Sequence, residues 1–209
     1  MIYGSTDMLL AALPHATVAP LGVVASAPSP VLWYVTRATA VSAYVALTLS
    51  VMLGMMRALA RKAHERLSGV VDELHQFVAT LAGLFVLGHL TALLLDPFLP
   101  FSLLNLLAPV DEPYRPLAVA LGVFSLYTMA IVLFSSWLRR RLSYRFWRNL
   151  HYISFVAFAL VTAHGLLAGS DSDEPWMRAV YGFATGAIAF LVLARMLVGV
   201  SESSAQAYK

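Results

Sequence analysis

Residues 71–95 read VDELHQFVATLAGLFVLGHLTALLL, and no charged residue follows Glu73 in that stretch. At about 1.5 Å per residue such a helix reaches across a hydrocarbon core of about 30 Å. It nevertheless carries His75 and His89, fourteen residues apart. An ionisable side chain inside a span is costly and marks a site of function. A second apolar stretch, 148–169, repeats the arrangement with His151 and His164, thirteen residues apart.

Working outward from these two stretches, five spans are expected in the 209-residue chain, at 31–57, 71–95, 116–138, 148–169 and 177–199. The chain is 60% hydrophobic and 12% charged, about half the charged fraction of a soluble domain. The expected fold is all-α, a polytopic membrane helix bundle with five transmembrane helices. Cysteine is absent, which excludes disulfides, iron–sulfur clusters and thioether-attached haem. The net charge of +3 reflects basic loops, so membrane lipid is the expected partner and nucleic acid is not.

Arg57, Arg61, Lys62 and Arg66 follow span one, and Arg139, Arg140, Arg141, Arg145 and Arg148 lie between spans three and four. The loops after spans two and four hold Asp96, Asp111, Glu112, Asp171, Asp173 and Glu174 against the cations Arg115 and Arg178. The positive-inside rule puts the N-terminus outside and the C-terminus in the cytoplasm. Trp33, Trp137, Trp147 and Trp176 all fall at span ends, as an interfacial aromatic belt requires. Residues 1–30 have no Lys or Arg and contain Pro14, Pro20, Pro28 and Pro30; they read as an arm on the outer surface, lying on the membrane or on a partner, rather than a span. The apolar, proline-broken stretch after Asp96 reads as a lid in the outer interface. The remaining divisions are a membrane domain at 31–200 and a short cytoplasmic tail at 201–209.

Spans two and four run in the same direction, so His75 and His151 share the inner depth and His89 and His164 the outer one. Each pair on a helix is separated by roughly 20 Å along the membrane normal. Facing imidazoles at two depths could clamp two b-type haems between spans two and four, each iron taking one histidine from each helix. A lone intramembrane histidine could equally serve a helix–helix hydrogen bond or a proton path; four at matched depths favour haem. One ion of zinc or copper could not bridge pairs so far apart. Gly83, Gly88 and Gly165 near the ligands leave room for a flat macrocycle or for helix packing. At about 100° per residue, fourteen residues return to nearly the same face and thirteen do not. Span four is therefore expected to be irregular, or the haems to be laterally offset.

These residues resemble the ferric reductase-like transmembrane domain, a family that includes ferric reductases, NADPH oxidases and the haem subunit of a bacterial methionine-sulfoxide reductase system. The resemblance rests on the two histidine spacings, on Thr36-Arg37-Ala38-Thr39, Leu74-His75-Gln76-Phe77 and Leu150-His151-Tyr152, and on the run from Ala163 to Asp171. It implies two bis-histidine b haems in a bacterial-type plasma membrane, with electrons crossing the bilayer. It also makes Arg37 at the outer haem and Arg148 at the inner one candidate partners for haem propionates. The family's reductases usually continue into a flavin and nicotinamide domain. No G-x-G-x-x-G phosphate loop is present here, so the expected donor is a separate flavoprotein or quinol. The expected acceptor is ferric iron, oxygen or a partner protein. Two alternatives stay open: a haem relay subunit of a larger membrane complex, and a haem-free transporter or scaffold.

Overall fold

The computed structural model describes residues 30–63, 65–97, 101–109 and 115–207, with side chains throughout these except at 58–67 and 198–207. Nearly all of the N-terminal arm, including His15, lies outside the described residues, as do His64, Asp111 and Glu112.

The described secondary structure is entirely helical: α1 Pro30–Ala63, α2 Glu65–Leu95, α3 Leu103–Leu107, α4 Pro116–Trp137, α5 Tyr144–His151, α6 Ile153–Ala168 and α7 Pro175–Ala207. A 3-10 turn, Leu138–Arg141, extends α4. Five stretches are long and apolar enough to cross a membrane: Pro30–Arg57, Ser68–Leu95, Pro116–Arg141, Tyr144–Ala168 and Pro175–Leu197. Helices suit such sequences because they satisfy every backbone polar group internally, which lipid cannot do. Span four begins at Tyr144, earlier than the apolar pattern alone indicates. The helix of α7 continues as far as Ala207 into the stretch read as a tail.

The fourth span is two helices, α5 and α6, meeting at Tyr152. Around that residue the bond from Phe155 N–H to the Tyr152 carbonyl (3.1 Å) is a tight i to i+3 link. This break meets the irregularity that thirteen-residue spacing requires.

Helix α1 is central. Within its most apolar window 44% is buried, against 11–28% in the other spans. Tyr44, Leu47, Val51 and Met55 carry the core from α1 to Ala82 of α2, Met129 of α4, Phe158 of α6 and Tyr181 and Ile188 of α7. Leucines and phenylalanines on the far faces, such as Leu84, Leu87, Phe183 and Phe190, are exposed as lipid-facing positions should be. The short α3 leaves Leu103, Leu104 and Leu107 exposed and buries Leu106, and the Tyr127 hydroxyl donates to the Leu107 carbonyl.

Candidate functional site

Two cavities open in the bundle, and each is walled by one histidine from α2 and one from α5 or α6. The cavity at the basic end, about 530 Å³, is lined by His75 and His151. The one at the acidic end, about 280 Å³, is lined by His89 and His164. The sequence paired the histidines by depth, and the structure brings together the same pairs. Among the described residues Met129, buried in the core, is common to both walls.

Three of the four imidazoles are tethered in the same way. His75 Nδ1 donates to the Ser50 carbonyl at 2.8 Å, His89 Nδ1 to the Thr36 carbonyl at 3.0 Å, and His164 Nδ1 to the Ala118 carbonyl at 2.7 Å. A proton held on Nδ1 by a carbonyl leaves the Nε2 lone pair free for a metal. Moving fourteen residues along α2, from His75 to His89, moves fourteen back along α1, from Ser50 to Thr36. The two helices are therefore antiparallel and in step.

A small residue stands four positions after each accepting carbonyl: Gly54 after Ser50, Ala40 after Thr36, Gly122 after Ala118. Position i+4 is one turn along the same face, where a larger side chain would fill the notch occupied by the ring. A Cβ built on Gly54 would come within 3.2 Å of His75 Cε1, and one on Gly122 within 2.8 Å of His164 Cε1 and Nδ1. Sequence reasoning missed both glycines, because they lie on α1 and α4 and only helix register connects them to the histidines. The glycines it did single out lie against other side chains, and Gly165 also lines the smaller cavity. Gly88 faces Thr39, Gly83 faces Leu133, and Gly165 makes room for the Tyr181 hydroxyl.

His151 is held differently. Its Nδ1 lies 3.4 Å from the Ser136 hydroxyl. Its ring stacks on Trp147, centroids 5.1 Å apart and planes at 28°, and the Arg139 guanidinium covers Trp147 at 4.6 Å. Trp147 is thus 8% exposed and part of the cavity wall. This corrects its reading as an interfacial belt residue; Trp33, Trp137 and Trp176 are exposed as that belt requires. Thirteen residues back from His164 corresponds to thirteen forward from Ala118, at Ile131; His151 instead meets the hydroxyl of Ser136, which stands four positions after Val132. Beyond the break at Tyr152 the link to α4 is therefore made by a side chain.

The ring centroids of His75 and His151 are 6.0 Å apart. Imidazole nitrogen binds a metal at about 2 Å and the ring centroid lies about 1 Å behind it, so two ligands on opposite sides of one ion have centroids about 6 Å apart. The pair, with ring planes at 76°, has the spacing of two imidazoles on one metal. No cluster of three or more metal-ligating side chains occurs among the described residues, so a metal here would need equatorial ligands that the protein does not supply.

The two candidate arginines line opposite cavities. Arg148 bonds the Tyr152 hydroxyl at 3.0 Å and the Tyr144 hydroxyl at 3.1 Å. Arg37 already has a carboxylate partner: its Nε donates to Asp171 Oδ2 at 2.9 Å and its Nη2 to Oδ1, while Trp33 lies 4.0 Å beneath its guanidinium. Arg57 likewise donates to Asp72 at 2.8 Å beside the larger cavity.

Fold and site together define a multi-pass helical membrane protein with paired intramembrane histidines at two levels. A family model described as the ferric reductase like transmembrane component matches residues 21–162, about two thirds of the chain, and the protein belongs to that family. Membership implies a role in transmembrane electron transfer. The match includes His75, His89 and His151 and stops two residues before His164. Comparison with curated proteins and with solved structures gives no significant match.

Proposed function

We propose that each cavity holds one b-type haem and that the chain is a di-haem cytochrome moving electrons between the two faces of the bilayer. When bound, the haem iron supplies one-electron chemistry. The protein's share is ligation, spacing and exclusion of water. His75 and His151 would hold the group at the basic end, and His89 and His164 the one at the acidic end. The observation that carries this reading is the 6.0 Å spacing of the His75 and His151 rings.

The carbonyl tethers fix ring orientation and raise ligand basicity, as outer-sphere partners of metal-bound histidine do. Met129 supplies the packed contact between the two cavities. The basic end faces the cytoplasm by its arginines, and there a separate flavoprotein or quinol delivers electrons. On the far side the acceptor is ferric iron, oxygen or a partner protein. Arg148 would meet a propionate at the inner cavity. Arg37 would do likewise at the outer one, where its charge is shared with Asp171.

The test is a reduced-minus-oxidised spectrum with haem counting on the purified chain. Two low-spin haems per chain are expected. Replacing His75 or His151 by Ala should remove one, and replacing His89 or His164 should remove the other. Protein that folds without haem, or that keeps both haems in all four variants, refutes the assignment.

A further inference from the structure

The two histidine pairs differ in how they are wired. At the acidic end both Nδ1 atoms donate to backbone carbonyls at 3.0 Å or less. At the basic end His75 does so, and His151 has in its place a hydroxyl at 3.4 Å, a distance at which little hydrogen-bond strength remains. A carbonyl on Nδ1–H makes imidazole a better electron donor and favours the oxidised metal; a ligand without one favours the reduced metal.

Charge acts in the same direction. Arg37 beside the smaller cavity is balanced by Asp171. Beside the larger cavity Asp72 balances Arg57, while Arg139 lies on the Trp147 ring. Among the described residues Arg139 has no carboxylate within ion-pair distance, and positive charge near a redox centre stabilises the added electron.

We infer that the His75–His151 centre has the higher reduction potential of the two, and that Trp147 and Arg139 set it by positioning and polarising His151. The inference rests on the di-haem reading above. Two consequences follow. An electron in the resting protein sits at the basic end. Outward transfer is then uphill between the centres and is drawn forward by the acceptor.

Potentiometry of the purified full-length chain, followed by visible absorbance, tests this. The wild type should show two separate reduction steps. Arg139→Gln should move the higher step down and leave the lower one in place. Trp147→Leu should alter the low-spin electron paramagnetic resonance signal of one haem, because the imidazole plane loses its stacking partner; Trp147→Phe, which keeps a stacking ring, should restore it. Two haems that reduce in one step, or an Arg139→Gln protein in which the lower step moves or neither does, overturns the inference and leaves the di-haem reading standing. A chain that purifies without haem removes both.

Discussion

Arg37 on the first span and Asp171, 134 residues later in the loop after the fourth, are joined by two charge-assisted hydrogen bonds at the edge of the smaller cavity. The side chains retain 30% and 15% of their exposure, so the pair lies between a surface contact and a buried one. Such a pair closes the acidic end of the bundle by linking α1 to the α6–α7 loop.

For this pair, the coupling energy of a double-mutant cycle with Arg37→Gln and Asp171→Asn should be about 1–3 kcal/mol, above the range of exposed ion pairs and below the cost of orphaning a fully buried charge. Thermal unfolding of the four proteins in detergent measures it. A coupling near zero would mean that solvent and lipid headgroups screen the contact.

Gly122→Ala should displace His164, since the added Cβ would stand 2.8 Å from two ring atoms. On the di-haem proposal, the expected readout is loss of about half the haem absorbance with the helical circular dichroism intact. Gly54→Ala should be milder, because its closest approach to His75 is 3.2 Å. Equal retention of haem by both variants would show that the notches do not seat the rings.

Met129 packs between the cavities, and truncation to Ala should cost about 2–5 kcal/mol, the range for large-to-small changes in a packed core. Met129→Leu keeps the volume and should cost less than about 1.5 kcal/mol. Chemical denaturation of the purified proteins distinguishes these outcomes. If Met129→Ala is as stable as wild type, the two cavities are not separated by close packing.

The Tyr44 hydroxyl and Thr162 Oγ1 lie 3.3 Å apart within the core, joining α1 to α6. Interhelical hydrogen bonds of this kind contribute about 0.6 kcal/mol on average and reach about 1.7. Tyr44→Phe and Thr162→Val should each destabilise by that order, and the double variant should cost less than their sum. Strict additivity would mean that the two groups do not interact.

Much of this architecture was legible in the sequence because it follows from one-dimensional quantities. Span lengths and the depth of each histidine need only residue counts and a helical rise. Even the break at Tyr152 is foreshadowed by thirteen residues failing to close the helical angle. The tethers were not legible. Ser50, Thr36 and Ala118 accept through their backbones, so no side chain announces them, and their pairing depends on how neighbouring helices register. Trp147 misled for a related reason: a tryptophan at a span end looks the same whether it faces headgroups or turns inward to stack on His151.

The fourteen-for-fourteen match between α1 and α2 has a consequence for how the family's lengths can change over time. One residue inserted between Thr36 and Ser50, or between His75 and His89, would swing everything beyond it by about 100° and 1.5 Å, and one imidazole would lose its carbonyl. That hairpin works as a caliper, and deletions or insertions within its jaws should be purged. The jointed fourth span, already cut at Tyr152, is where drift in length could be absorbed.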